Sequence, residues 1–164
     1  MRLLVLQHAR AEHPGIFRQF LQEDGHSWDA VHLDEGEALP ALDRYDGLWV
    51  MGGPMDDWQE EAYRWLVAEK ALIQHAVEEK GLPFLGLCLG HQLLAEALGG
   101  SVGKSIIPEI GACKVQLIEA GASGIFCYGL PERIHCLQWH GAEIKKLPAG
   151  AKVWQHRPIV PCKR

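Results

Sequence analysis

The sequence predicts an α/β protein with a mostly parallel sheet and a small antiparallel extension. As far as residue 98, short apolar runs alternate with longer segments of helical period, which is the pattern of βαβ units. The first run, 3–6, is apolar throughout, as expected for a strand that is covered on both faces. Beyond residue 100, alternating strands follow one another with no helix between them, and this favours antiparallel pairing.

Four strands and three helices account for the parallel part. Short apolar runs bounded by Gly, Pro or acidic residues predict the strands, and apolar residues that recur every three or four positions predict the helices. The predicted strands are 3–6, 30–33, 47–51 and 84–87. The predicted helices are 14–24, 59–79 and 91–98. Two further strands, 114–118 and 134–139, form the predicted antiparallel extension.

Size and composition fit one domain that spans residues 1–164. A chain of 164 residues can bury roughly two thirds of the surface that its unfolded form exposes. The net charge of −5 gives no basic footprint for nucleic acid or for an anionic membrane. His8 and Arg10 interrupt the apolar start before a signal-peptide core is complete. We therefore expect a cytoplasmic protein with no nucleic-acid or membrane partner.

Cys88 is the candidate nucleophile. It lies between a predicted buried strand and a predicted helix, with Gly86 two residues before it and Gly90 two residues after it. This is the spacing of a nucleophile elbow with sulfur in place of oxygen, where glycines let the strand and the helix approach. The helix N-terminus is expected to lower the pKa of the thiol. An isolated cysteine is more often an inert buried side chain, but the two glycines favour the nucleophile.

Acyl transfer at a cysteine also needs hydrogen-bond donors for the oxyanion. In an elbow the N–H of the next residue, here Leu89, is one such donor. The second must come from a neighbouring loop, and adjacent parallel strands bring their C-terminal loops side by side. Because the turn 52–54 (Gly-Gly-Pro) ends the preceding strand, Gly53 is the predicted second donor. On its own, such a turn would more often serve backbone conformation alone.

Four blocks of sequence together resemble the signatures of the class I glutamine amidotransferases. In the family's order, they are 52–54 (Gly-Gly-Pro), 86–92 (Gly-Leu-Cys-Leu-Gly-His-Gln), 108–111 (Pro-Glu-Ile-Gly) and 138–141 (Gln-Trp-His-Gly). The closest likeness is to stand-alone members related to the glutaminase domain of GMP synthase. The resemblance implies a flavodoxin-like, doubly wound sheet with helices on both faces.

The resemblance also implies a reaction and the residues that perform it. The side-chain amide of L-glutamine would be hydrolysed to glutamate and ammonia through a thioester, with no cofactor. The ammonia would pass to an acceptor, for which a separate synthase subunit is one candidate. The counterparts in this sequence are Cys88 as nucleophile, the Gly53 and Leu89 amides as oxyanion hole, and Gln92, Trp139, His140 and Gly141 as substrate-binding residues. From the sequence alone, Gln92 could equally face solvent and Trp139 could be a core aromatic.

The family's pattern breaks at the catalytic base. Thiol catalysis needs a base that is oriented by a carboxylate, and the family takes both from a His-Pro-Glu motif near the C-terminus, which this sequence lacks. We therefore expect the domain to be C-terminally incomplete, the alternative being a natural form without the base. His140, with Glu143 three residues on, is a further candidate. The other histidines show no metal-ligand spacing, so no metal site is expected.

Three functions stay open at this point. The first is a glutamine amidotransferase that works through a Cys88 thioester. The second is a catalytically incomplete module that binds glutamine or regulates a partner. The third is another cysteine hydrolase on the same scaffold, such as a γ-glutamyl hydrolase. Gln92 and the segment 139–141 favour glutamine, but analogy of fold alone does not choose among them.

Overall fold

The first half of the chain forms a four-stranded parallel sheet. A computed structural model describes residues 1–117, 127–153 and 155–156. The strands are β1 (Arg2–Gln7), β2 (Ser27–His32), β3 (Gly47–Val50) and β4 (Phe84–Gly86). They lie in the order β2-β1-β3-β4, and every neighbouring pair is parallel. This is the strand order of a flavodoxin-like sheet, so the predicted fold class is confirmed.

Three helices cover this sheet, as predicted. They are α1 (Phe17–Glu23), α2 (Trp65–Gln74) and α3 (Leu89–Ala97), and α2 continues into a π-helical turn, His75–Glu79. Side chains alternate between the two faces along β3. Leu48 and Val50 are fully buried in the core that α2 and α3 share, whereas the Trp49 ring lies 5.7 Å from the Phe17 ring of α1. Helices therefore lie on both faces.

The second predicted helix begins later than the sequence pattern suggests. Residues 59–64 form turns rather than helix, because the Gln59 carbonyl accepts hydrogen bonds from the N–H groups of both Ala62 and Tyr63. The Gln59 side chain also accepts a hydrogen bond from the Asp56 N–H. A local side-chain acceptor of this kind competes with the helical ladder, so the helix starts only at Trp65.

The antiparallel extension is larger than predicted. It consists of β5 (Ser101–Leu117), β6 (Arg133–Lys146) and β7 (Gln155–His156), in the order β6-β5-β7. The prediction missed β7 and the first part of β5, where Pro108 breaks the strand pattern. The structure accommodates Pro108 with a shift of register between Lys104 and Glu109, which is how a strand tolerates a residue that cannot donate to the ladder. Ile118, the end of the predicted strand, lies outside the described residues.

None of the helices within the described ranges is long and apolar enough to cross a membrane.

Candidate active site

Cys88 occupies a sharp turn between β4 and α3. Its backbone angles are φ 51° and ψ −103°, and among the described residues it is the only one other than glycine with a positive φ. Side chains rarely adopt this conformation, and such strain is concentrated at functional sites. Two backbone hydrogen bonds hold the turn against the end of β3, from the Leu87 N–H to the Val50 carbonyl and from the Gly90 N–H to the Met51 carbonyl.

The two glycines that flank Cys88 are required by close packing. A Cβ atom on Gly90 would lie 2.1 Å from the carbonyl oxygen of Val50. A Cβ atom on Gly86 would lie 2.6 Å from the carbonyl carbon of Gly90. Both distances are far below van der Waals contact, and both neighbours are backbone atoms that cannot rotate away. The spacing of Gly, Cys and Gly thus allows α3 to start directly against the end of β3.

Cys88 opens onto a pocket of about 300 Å³ between α3, the loop after β3 and the β5–β6 hairpin. This is the lower end of the range for small-molecule sites, which suits a ligand of amino-acid size. The pocket brings together all seven residues that the sequence nominates, although this geometry does not test their roles. They are Gly53, Cys88, Leu89, Gln92, Trp139, His140 and Gly141.

Gln92 and Trp139 differ from the simpler expectations for them. Gln92 is only 8% exposed, so it does not face bulk solvent, and its amide makes no hydrogen bond within the part of the chain that the structure describes. Trp139 is 72% exposed and is therefore not a core aromatic. A nearly buried amide that lines a pocket without a protein partner is available to a ligand, since buried polar groups are normally hydrogen-bonded.

The environment of Cys88 raises the pKa of its thiol, contrary to the expectation from the helix N-terminus. Burial is the main cause, because the surrounding loops withdraw water from the sulfur although the side chain opens onto the pocket. The Leu89 N–H opposes this by donating toward the sulfur, and the negative charge of Glu12 adds to the increase. The thiol is therefore protonated at neutral pH, and its reactivity should rise with pH.

We expect Glu12→Gln to lower the pKa of the Cys88 thiol. The change removes a negative charge beside the sulfur, and a solvent-screened charge of this kind changes a rate by about twofold to fivefold. Alkylation of Cys88 by iodoacetamide at pH 8 should be faster by that factor. Glu61→Gln, at another exposed carboxylate, is the control. Identical rate–pH curves for Glu12→Gln and the parent would contradict the assignment.

The loop that carries Gly53 is anchored from below by a buried pair that the sequence analysis missed. His8 donates from Nδ1 to the Gly52 carbonyl oxygen at 2.9 Å, and its Nε2 lies 2.8 Å from Oε1 of Glu69. The two residues are 61 positions apart, so no spacing pattern connects them. One signal was present: Glu69 falls on the buried stripe of α2 between Leu66 and Ile73, where a carboxylate needs a partner.

His140 is not arranged as a base for Cys88. Its Nδ1 donates to the Ala142 carbonyl oxygen at 3.0 Å, and its Nε2 lies 3.2 Å from Oε1 of Gln138. The carboxylate beside it is Glu109, at 3.4 Å, and Glu143 is paired with Lys145 instead. Both ring nitrogens thus contact the β5–β6 hairpin itself, which fits a pocket wall better than a proton acceptor. Across the described residues, no cluster of side chains could hold a metal ion.

Fold and site together define a flavodoxin-like α/β protein with a cysteine in a nucleophile-elbow turn that faces a small pocket. The family model for glutamine amidotransferase class-I matches residues 17–159. This chain belongs to the class I glutamine amidotransferase family.

Individual relatives show the range within the family. GMP synthase [glutamine-hydrolyzing] of Aeropyrum pernix is 38% identical over 133 residues, which cover 80% of this chain and 23% of that protein. Gamma-glutamyl peptidase 4 of Arabidopsis thaliana is 26% identical over 143 residues, covering 84% of this chain and 56% of that protein. A crystal structure of a glutamine amidotransferase from Thermotoga maritima superposes with a TM-score of 0.84 at 33% identity, covering 94% of this chain and 66% of that one. The chain therefore spans about a quarter to two thirds of the proteins it matches.

Proposed function

We propose that this chain hydrolyses the side-chain amide of L-glutamine through a thioester on Cys88. The observation that carries the proposal is the convergence of three features on one pocket: the thiol in its elbow, two backbone N–H groups beside it and the unpaired amide of Gln92. The family membership of the chain supports the same chemistry.

In the proposed reaction the Cys88 thiolate attacks the side-chain amide carbon of glutamine. The carbonyl oxygen becomes an oxyanion that accepts hydrogen bonds from the N–H groups of Gly53 and Leu89. The carbon–nitrogen bond then breaks, the nitrogen takes up a proton and leaves as ammonia, and the γ-glutamyl group remains on sulfur. Water hydrolyses this thioester to glutamate and restores the thiol.

Gln92 and the segment 139–141 are proposed to hold the substrate. The Gln92 amide can both donate and accept hydrogen bonds, and it lies one helical turn beyond Cys88 along α3. Trp139, His140 and Gly141 form the opposite wall of the pocket, where main-chain atoms of β6 are proposed to bind the α-amino and α-carboxyl groups. His140 is assigned to this wall rather than to proton transfer.

An activated substrate tests acylation separately from the missing base. A γ-glutamyl ester of 4-nitrophenol releases a leaving group that needs no protonation, so one equivalent of nitrophenolate per chain should appear in a burst. We expect the burst to disappear in Cys88→Ser and to survive in Cys136→Ser, which removes another free thiol. An equal burst from the parent and from Cys88→Ser would exclude the proposal. Release of glutamate from glutamine then measures complete turnover.

A γ-glutamyl hydrolase or peptidase activity is the second candidate. The relative named gamma-glutamyl peptidase 4 aligns with 84% of this chain, and Ile110 and Trp139 line the pocket with largely exposed apolar side chains. Apolar surface at the entrance suits a leaving group larger than ammonia. Competition between glutamine and γ-glutamyl amides with bulky amines would decide. Preference for the bulky amides indicates the peptidase, and acylation of Cys88 without turnover of either substrate indicates a binding or regulatory module.

The ammonia acceptor stays a prediction. A separate synthase subunit is proposed, because the chain aligns with 23% of a GMP synthase, whose printed name joins glutamine hydrolysis to synthesis.

A further inference from the structure

His8 and Glu69 form a buried polar pair directly beneath the candidate site. Both side chains are 0% exposed, and neither takes part in the reaction proposed above. Oε1 of Glu69 contacts His8, whereas Oε2 has no hydrogen-bond partner within the described residues. Burying two ionisable groups is costly, so their retention at this point requires an explanation beyond packing.

The partners of His8 fix where its protons are. A carbonyl oxygen can only accept a hydrogen bond, so the short contact with Gly52 requires a proton on Nδ1. The contact between Nε2 and Glu69 holds one further proton, either on the imidazolium or on the carboxyl group. In both forms Nδ1–H donates to the Gly52 carbonyl oxygen. The pair therefore always presents a donor to this one peptide group.

The hydrogen bond to Gly52 determines which way the next N–H points. The described residues contain no cis peptide, and in a trans peptide the C=O and N–H groups point in opposite directions. With the Gly52 carbonyl held toward His8, the Gly53 N–H points away from His8. That N–H has no acceptor within the described part of the chain, and Gly53 lines the pocket beside Cys88.

The loop has no other means of fixing this peptide. Two consecutive glycines can rotate a peptide group with little steric resistance. Side chains of their own are excluded, because a Cβ atom on Gly52 would lie 2.6 Å from Glu12, and one on Gly53 would lie 2.8 Å from Leu89. Restraint must come from outside the loop, and His8 supplies it.

We propose that His8, oriented by Glu69, is a positioning residue that aims the Gly53 N–H at the oxyanion formed on Cys88. This inference rests on the proposed function, since an oxyanion develops only during acyl transfer. His8 itself touches neither the sulfur nor the substrate. Its effect should therefore appear in the rate of acylation rather than in the reactivity of the thiol or in substrate binding.

Two substitutions separate the two ends of the imidazole. The Asn amide nitrogen can occupy the place of Nδ1 and donate to Gly52, whereas the longer Gln side chain places its amide near Nε2, beside residue 69. We compare His8→Asn with His8→Gln in a Glu69→Gln background, which removes the buried charge. Thermal melting confirms that each protein is folded before rates are measured.

We expect His8→Gln to slow the nitrophenolate burst by about a hundredfold, the effect of losing one oxyanion donor. His8→Asn should stay within a few-fold of the Glu69→Gln parent, and the ester concentration for half-maximal rate should change little in either. Alkylation by iodoacetamide forms no oxyanion, so its rate should be equal in all three. Equal burst rates in the two variants, or parallel losses in both assays, would overturn the inference.

A second readout does not depend on any reaction. With glycine labelled at its carbonyl carbon, the ¹³C resonance of Gly52 should shift in His8→Gln and stay near its parental position in His8→Asn, because only the former loses the hydrogen bond. If the Glu69→Gln parent shows no burst, the proposed function is at fault, and this resonance still reports on the peptide. An unchanged Gly52 resonance in both variants would refute the positioning role.

Discussion

Gly90→Ala is expected to leave the protein largely unfolded. The new Cβ atom would lie 2.1 Å from the Val50 carbonyl oxygen and 2.7 Å from the carbonyl carbon of the same residue. Relief requires α3 to move away from β3, which would break the hydrogen bond from the Gly90 N–H to the Met51 carbonyl. Overpacking in a core costs about 1–3 kcal/mol even when side chains can adjust. Since these atoms are backbone, the loss in the free energy of unfolding should be at least about 3 kcal/mol, a large part of typical stability.

Urea denaturation followed by circular dichroism measures this loss. Gly103→Ala is the matched control, because a Cβ atom there meets only the flexible Lys145 side chain, at 3.4 Å. The control should unfold within about 1 kcal/mol of the parent, the scale of an ordinary glycine substitution. A Gly90→Ala protein as stable as the control would mean that the elbow does not pack against β3 as described.

The elbow was predictable because its requirements are local in sequence. Strand, cysteine and helix follow one another within a few residues, and the two glycines mark the contacts that the turn needs. The strand order and the neighbouring Gly53 loop follow from the general geometry of parallel sheets. The sequence therefore leads to Cys88, Leu89 and Gly53 without any structural information.

The remaining features depend on contacts that local patterns do not record. The first part of β5 was missed because Gly103 and Pro108 interrupt the strand pattern, whereas pairing with β6 across a register shift supports it. The direction of the Cys88 pKa was wrong because burial outweighs the N–H of the helix N-terminus. Burial around a residue depends on loops distant in sequence. The pair of His8 and Glu69 was missed for the same reason.

Glu69→Leu should destabilise the protein by about 3–5 kcal/mol at pH 6, the usual cost of removing one partner of a buried ion pair. In the parent, burial alone would lower the pKa of His8, but the hydrogen bond and charge of Glu69, the Gly52 carbonyl and the charge of Asp34 together raise it above the ordinary 6.5. A raised pKa stabilises the fold fully below pH 6.5, and this contribution is lost as the pH rises through the folded value. The parent should therefore lose stability above pH 6.5.

The variant should respond to pH in the opposite sense. Without the carboxylate, burial dominates and the pKa of His8 falls below 6.5, so the fold should gain stability as the pH rises toward 6.5. The difference between parent and Glu69→Leu is then largest in acid and shrinks in mild alkali. Urea unfolding at pH 5.5, 6.5, 7.5 and 8.5 tests this, since titrations elsewhere in the chain cancel in the difference. Parallel stability–pH curves would show that the pair does not share a proton.

Replacing both partners separates the pair's contribution to stability from its effect on the site. In His8→Leu/Glu69→Leu no buried charge is left unpaired, so most of the stability should return, and the pH dependence assigned to His8 should disappear. The Gly52 carbonyl would still have lost its donor, however, and the two glycines would be free to rotate. A protein that is as stable as the parent but slow in the burst assay would show that evolution retained a costly buried pair for the direction of one peptide group.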